Sequence, residues 1–294
     1  MSKTNSAKLS FLLGVFLFGT LGGFSRFVTL PTAVTTMIRG FVATPFLLLI
    51  MYLGGKRLSL DAIKKNLLPL VAGGVMLALA MITLFEAYRC VSVAVATVLY
   101  NLAPIIYVAL SPILFKEKLT GKKIVCILTA LLGVVLVSNV LESGMPKTLS
   151  EAKGILFGLA CAVCYAGTTV INKKVVAVPA FDKTIVQLAV LGVVLLPINL
   201  FSGSLSNLQF EPLSTVMLLV ICFVHTGIAY LCYFGSLEHI PANTAAILTY
   251  VDPVTAVLMS TLILHEPISV LNIVGVVLIL GATLVSEMRA KDKT

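Results

Sequence analysis

Two stretches of this chain repeat one pattern: residues 99–120 read LYNLAPIIYVALSPILFKEKLT, and residues 248–269 read LTYVDPVTAVLMSTLILHEPIS. The offset between them is a constant 149 residues, and the match extends outward over 85–125 and 234–274. The most informative matched pairs are Pro104 with Pro253, Glu117 with Glu266 and Thr120 with Ser269. The chain therefore contains a duplicated unit.

The composition indicates an integral membrane protein. Hydrophobic residues make up 59% of the chain and charged residues only 11%, whereas soluble domains carry about 25% charged residues. The mean hydropathy is +1.08. Because the apolar runs are about 17 to 25 residues long, they favour transmembrane helices over barrel strands, and we expect an all-α membrane protein.

Hydropathy, with Gly, Pro and charge as punctuation, predicts ten transmembrane helices. They form two repeats of five, at residues 9–140 and 153–287. Because five is an odd number, the second repeat is expected to have inverted topology relative to the first. The predicted spans are 9–28, 33–53, 66–87, 91–114, 122–140, 153–172, 184–203, 212–235, 242–264 and 269–287.

The basic residues predict the orientation. Ten spans place sixteen Lys and Arg residues on one side and four on the other, so we expect both termini to be cytoplasmic in a multi-pass protein of the cytoplasmic membrane. The net charge of +9 is thus an orientation signal, and no nucleic acid partner is expected. Four lysines lie near Glu117, while no Lys or Arg accompanies Glu266, as inverted repeats would require.

Polar residues near the middle of the membrane are candidates for a binding site, because an ionisable side chain there costs about 2.5 to 3.5 kcal/mol on insertion scales. Asp252 stands beside Pro253, and Pro104 follows Tyr100 and Asn101 at the equivalent position. The prolines are expected to kink their helices at the substrate site, or only to shape the packing. Asp252 is a candidate substrate and proton ligand, or a structural partner of a hydroxyl or backbone donor.

Three further ionisable residues lie within or near spans, and each has two interpretations. Glu86 is a candidate proton or cation site, or the partner of Arg89 in an ion pair at the helix end. Arg39 would either bind a substrate carboxylate or extend its side chain outward to the membrane surface. His225 is a proton relay or a hydrogen-bonded packing residue.

Tyrosines offer an apolar ring and a hydroxyl, which suits a small amphipathic metabolite. The tyrosines predicted to contact substrate are Tyr100, Tyr165, Tyr230 and Tyr250. Glu117 and Glu266 are followed by Thr120 and Ser269, hydroxyl residues suited to cap the next helix, and we interpret both acids as structural. Neither a metal site nor a cofactor is expected.

At these residues the chain resembles the drug/metabolite transporter superfamily, in its EamA-like branch with two five-helix repeats. The resemblance covers nearly the whole chain. It is carried by a span-central proline, an apolar stretch and Glu-x-Leu/Ile-Thr/Ser, found at Pro104 to Thr120 and at Pro253 to Ser269. It implies a ten-helix inverted-repeat bundle with a central cavity. It also implies export or exchange of amino acids, nucleobases or nucleotide sugars, often against protons or another solute. Glu86 and Arg89 depart from the common pattern.

We therefore expect a secondary transporter that exports small metabolites, such as amino acids, by alternating access. No G-x-x-x-x-G-K-[ST] motif is present, so a gradient or an exchanged solute would drive the movement. One alternative is a gradient-independent facilitator or exchanger of nucleobases, sugars or nucleotide-linked metabolites. Another is a membrane enzyme acting on lipid-linked substrates. Because the duplication supplies both halves, a monomer would be sufficient.

Overall fold

The computed structural model describes residues 3–115, 120–137, 148–206, 208–237, 239–240 and 242–287, and the described chain is helical throughout its regular elements. The helices of the first half are α1 (Lys3–Ser25), α2 (Thr32–Leu53), α3 (Leu60–Lys65), α4 (Leu67–Cys90), α5 (Val93–Tyr100), α6 (Ala103–Phe115) and α7 (Gly121–Val137). Those of the second half are α8 (Leu149–Asn172), α9 (Ala180–Phe201), α10 (Pro212–Val220), α11 (Ala229–Leu237), α12 (Ala242–Thr249), α13 (Val251–Leu258) and α14 (Val270–Glu287). The second half also contains two π-helical segments. π1 (Ile221–Ile228) lies between α10 and α11, and π2 (Met259–Ile263) lies between α13 and α14.

The helix lengths confirm the predicted all-α membrane architecture. Seven helical stretches of the described residues are long and apolar enough to cross a membrane, and they occupy the first four and the sixth to eighth predicted spans. The other predicted spans hold shorter helices: α7 in the fifth, α12 and α13 in the ninth, and α14 in the tenth. Some boundaries were misplaced, since α1 begins six residues before the predicted first span and α4 continues three residues past the predicted end of the third, to Cys90.

The fourth and ninth spans are broken at equivalent positions. The first half of the fourth span, α5, ends at Tyr100, and α6 begins at Ala103; in the ninth span only Tyr250 separates α12 from α13. At the 149-residue offset, Tyr250 matches Asn101. Pro104 and Pro253 therefore lie in the first turn of a new half-helix, where a missing N–H is tolerated. Their role as hinges stays a prediction.

The two π-helical segments interrupt the eighth and ninth spans. In π1, five-residue hydrogen bonding turns His225 and Thr226 inward, and both side chains are buried. In π2 the inward residue is Ser260. Short π segments within α-helices are often found at functional sites, because the extra residue re-aims the side chains around it.

Helix pairing repeats between the halves. α1 packs against α11 and α13, and its counterpart α8 packs against α4 and against both halves of the fourth span. α2 packs on its counterpart α9, and α7 packs on α14. Small residues permit the closest crossings, as where a Cβ on Gly40 would lie only 2.7 Å from the Leu188 carbonyl oxygen of α9. Every large pairing thus has an equivalent when the two repeats are exchanged.

Candidate functional site

A side-chain hydrogen bond joins the two helix breaks. The Tyr100 hydroxyl, at the end of α5, donates a hydrogen bond to Oδ2 of Asp252, in the first turn of α13. Asp252 is 6% exposed, and its Oδ1 has no hydrogen-bond partner among the described residues. A buried carboxylate oxygen left without a donor is costly, so this oxygen is available to a ligand.

Arg39 is a buried cation at the centre of the bundle. Its side chain is 3% exposed and so does not extend to the membrane surface, which was one of its two interpretations. Its Nε donates to Thr226 Oγ1 of π1 at 2.7 Å, and its guanidinium carbon lies 5.5 Å from the centre of the Phe85 ring. In the part of the chain that the structure describes, the one salt bridge is between other residues, so no carboxylate neutralises Arg39.

Tyrosine side chains lie near the two buried charges. Tyr88, near the end of α4, lies within electrostatic range of both Arg39 and Asp252, and its hydroxyl lies 3.3 Å from Thr97 Oγ1 of α5. The Tyr165 ring lies 5.8 Å from the Tyr100 ring, centre to centre.

Two of the predicted tyrosines also lie close to the cation. Tyr165 and Tyr230 both lie within electrostatic range of Arg39, and Tyr165 lies within the same range of Tyr230. Three predicted residues, Tyr100, Tyr165 and Tyr230, therefore belong to one group around the two charges. We refer to Arg39, Tyr88, Tyr100, Tyr165, Tyr230 and Asp252 as the central cluster.

His225 lies against the central cluster but is held by its neighbours. Its Nε2 lies 3.0 Å from the Thr20 hydroxyl, and its ring lies 4.7 Å from the Phe24 ring, centre to centre. The Thr20 hydroxyl also lies 2.9 Å from the Leu17 carbonyl oxygen, and Nδ1 of His225 lies 3.4 Å from the Val220 carbonyl oxygen. These contacts fit the packing interpretation, and a relay role stays a prediction.

Glu86 lies apart from the central cluster, near one end of the bundle. Its Oε1 accepts a hydrogen bond of 2.5 Å from Thr32 Oγ1, and the side chain is half-buried. Arg89 instead donates to the Leu30 carbonyl at 2.5 Å. The helix-end ion pair between Glu86 and Arg89 is therefore absent from the described contacts, and that interpretation was wrong. The reason is that both side chains turn toward the α1–α2 loop.

The residues at the breaks themselves differ in character. Asn101 Nδ2 donates a hydrogen bond to the Thr97 carbonyl oxygen at 2.8 Å. This bond caps the end of α5, and it uses one of the side-chain amide's donors within the same helix. Tyr250 is half-buried and directly precedes α13. Both stay predictions as substrate ligands.

The Glu266 carboxylate contacts residues of three elements at one end of the bundle: the end of α1, the start of α5 and π2. It forms a salt bridge with Arg26, at the end of α1. Its Oε2 accepts from the Val93 backbone N–H at 2.9 Å and from Ser260 Oγ at 2.6 Å. The carboxylate thus lies at the N-terminus of α5, where the helix dipole favours a negative charge. Glu117 lies outside the described residues.

Tyr88 and Thr226 are two residues at the site that the sequence did not predict. Tyr88 was missed because the predicted third span stopped at residue 87. Thr226 lies 187 residues from Arg39, and no local pattern marks such a pair. A signal was available for Tyr88, since it lies two residues from Glu86 on an apolar stretch that continues to Cys90.

The central cluster combines a cation, an acid and aromatic faces in a buried setting. An unpaired guanidinium binds carboxylate or phosphate, and a carboxylate oxygen binds an ammonium group or a proton. Because the two charges come from different repeats and are both in contact with helix interruptions, a ligand between them would contact both repeats at once.

Comparison with known proteins places the chain among transporters. The model of the EamA-like transporter family matches residues 5–139 and 152–288. An uncharacterized transporter YxxF of Bacillus subtilis is 26% identical over 289 residues, covering 98% of this chain and 92% of that protein. Protein PecM of Dickeya dadantii is 27% identical, covering 69% of this chain and 67% of that protein.

A solved crystal structure shares the fold. It is 18% identical in sequence, with a TM-score of 0.66, and the match covers 96% of this chain and 97% of that one. The matched family and the YxxF relative are transporters, not enzymes. With both halves of its length matched by the family model, this multi-pass membrane protein belongs to the EamA-like transporter family.

Proposed function

We propose that this transporter is a secondary active exporter of small zwitterionic metabolites, of which amino acids are the leading class. The observation that carries the proposal is the pair of buried, oppositely charged side chains in the central cluster. Arg39 would bind the substrate carboxylate and Asp252 its ammonium group. The rings of Tyr100 and Tyr165, which pack on each other, would contact the apolar part of the solute.

The cost of burying the two charges supports this assignment. Arg39 and Asp252 do not neutralise each other, and neither has another oppositely charged partner in the described ranges. Each charge in the membrane interior is costly unless paired or functional. A zwitterion is the class of ligand that satisfies both at once.

Alternating access is the mechanism we propose, with the repeats inverted relative to each other. The helix pairings that recur between the repeats, and the equivalent breaks in the fourth and ninth spans, are what an inverted-repeat transporter would have. An ammonium group or a proton at the free Oδ1 of Asp252 would reduce the negative charge on the carboxylate and so weaken the hydrogen bond that Oδ2 accepts from Tyr100, which is a contact between the two breaks. Substrate or a proton would therefore change the relative stability of the two open states.

The test is flux of labelled solutes into and out of proteoliposomes, with and without a proton gradient. The panel comprises amino acids, nucleobases and sugars, and the proteins are the wild type, Asp252→Asn and the control Asp61→Asn. Asp61 is an exposed acid of α3, so its substitution removes a charge outside the membrane. In the wild type and in the control, we expect the proton gradient to drive amino acid flux. In Asp252→Asn we expect no such flux.

Other outcomes would correct the proposal. Selective flux that ignores the gradient would make the protein a facilitator or exchanger. Flux of nucleobases or sugars in preference to amino acids would reject the zwitterionic substrate class. Equal flux through wild type and Asp252→Asn would remove Asp252 from the site.

A further inference from the structure

A basic surface lies at one end of the molecule, where loops of the two repeats meet. It is formed by the segment 54–66, which includes α3, and by the loop 173–179. The Ser59 backbone N–H and hydroxyl both donate to Asp182 Oδ2, at 2.9 and 2.7 Å. These bonds fix the start of α3 to the first turn of α9.

The end of α3 is fixed to the second loop by a reciprocal pair of hydrogen bonds. Asn66 Nδ2 donates to the Val176 carbonyl at 3.0 Å, and the Val176 N–H donates to Asn66 Oδ1 at 3.1 Å. The pair holds Lys64 and Lys65, just before Asn66, beside Lys173 and Lys174, just before Val176. Basic residues from both repeats are thereby held in one place.

The charge of this surface is unbalanced. Among its acids, Asp61 is exposed in α3, and Asp182 is buried and already accepts two hydrogen bonds. Five exposed basic side chains define what we call the basic surface; they are Lys56, Arg57, Lys64, Lys65 and Lys174. Lys173 is also exposed, but its Nζ lies 5.9 Å from the centre of the Tyr107 ring, so we do not include it.

Large apolar side chains adjoin the basic surface directly. Leu53 ends α2, Leu60 begins α3, and Leu67 and Leu68 begin α4, and all four are exposed, Leu68 by 81%. Leu53, Leu67 and Leu68 lie at the ends of membrane-length helices, so they mark the level at which acyl chains give way to headgroups. The cations of the basic surface are therefore at headgroup height.

We propose that the basic surface is a binding site for the phosphate headgroup of anionic phospholipids. Clusters of four to eight Lys and Arg next to a transmembrane helix attract anionic lipid, and here the cluster is ordered by the contacts of Ser59 and Asn66. The exposed leucines favour a lipid over a soluble anion, because they supply a surface for the acyl chains. This site is separate from the central cluster and does not depend on the proposed substrate.

The chain contains no tryptophan, so one introduced tryptophan reports on its own surroundings. Leu68→Trp places the fluorophore at the basic surface. Phe201→Trp, at the far end of α9, is the matched control: it is 91% exposed, and no charged residue lies between 184 and 210. Each variant is reconstituted with brominated phosphatidylglycerol in a background of phosphatidylcholine, and then with the bromine on the phosphatidylcholine. Quenching measures which lipid contacts the tryptophan.

We expect brominated phosphatidylglycerol to be favoured at Leu68→Trp and not at Phe201→Trp. Changing the four basic residues of segment 54–66 to glutamine should abolish the preference, with up to about a fivefold loss in lipid affinity per side chain. Because these side chains are exposed, the melting temperature of the variant should match that of its parent.

Equal quenching by the two lipids at Leu68→Trp would overturn the proposal. So would a preference that survives the glutamine changes. Relief of quenching by soluble inorganic phosphate would reassign the surface to soluble anions.

Discussion

Among single residues, the buried cation Arg39 gives the strongest indication of function. An unpaired cation in the membrane interior is costly, so its presence indicates function rather than stability. We expect Arg39→Met, which keeps the length of the side chain, to raise the free energy of unfolding by about 1 to 3 kcal/mol while abolishing transport. The measurements are unfolding in detergent micelles and flux in proteoliposomes.

The control for that prediction is Arg57→Met, which alters an exposed arginine of the α2–α3 loop and should leave transport intact. A loss of stability in Arg39→Met would show instead that the contacts with Thr226 and Phe85 hold the bundle together. Arg39 would then be a structural residue.

The contact between Tyr100 and Asp252 supports a second prediction at this scale. Tyr100→Phe removes the one described donor to a buried carboxylate, so we expect the free energy of unfolding to fall by about 1 to 3 kcal/mol. In the Asp252→Asn background the same change should cost less, because a neutral amide tolerates the loss better. A double-mutant cycle of unfolding free energies measures the difference. Additive effects would mean that the two side chains do not interact.

At the scale of helices, α1 is fitted closely to the ninth span. A Cβ on Gly19 would lie 2.5 Å from the Asp252 carbonyl oxygen and 2.6 Å from Thr255 Cβ. We expect Gly19→Ala to reduce stability by about 1 to 3 kcal/mol and to reduce flux, since it displaces the backbone that carries Asp252. Gly281→Ala, in α14, is the control: a Cβ there meets nothing within 4 Å, and alanine favours helix. Comparable losses in both variants would exclude a special role for Gly19.

The positions of the helices could be predicted from the sequence, but their interruptions could not. Apolar runs and the two matched prolines indicated where the helices lie and where the repeats correspond. Hydropathy averages over a window of residues, so it could not distinguish a kink at Pro104 from a break at Asn101. It also could not detect π1, because a π segment is a change in backbone register rather than in composition.

The candidate site was predictable to a similar extent. Asp252, Arg39 and three tyrosines were conspicuous because polar groups are rare in apolar spans. Their partners were not, since Thr226 is an ordinary hydroxyl residue until π1 turns it toward Arg39. The supposed ion pair of Glu86 failed for the same reason: spacing along a helix does not show that a nearby loop offers a closer partner.

At the scale of the whole molecule, contacts between repeats occur at both ends of the bundle. At one end, Ser59 and Asn66 contact the loop and helix start of the second repeat. At the other, Glu266 of the second repeat contacts Arg26 and the Val93 N–H of the first. The alternating access that we propose would require each end to separate in turn, so neither set of contacts would persist through the whole cycle.

This requirement gives the last prediction. In a background with all six cysteines replaced by alanine, Arg26→Cys and Glu266→Cys are combined and joined by a short, reducible, bifunctional thiol reagent. We expect flux to fall at least tenfold on cross-linking and to return on reduction, because the link holds the two repeats together at this end. Each single cysteine variant, treated identically, should keep its flux. Undiminished flux in the cross-linked protein would show that this end never opens, and alternating access through it would be wrong.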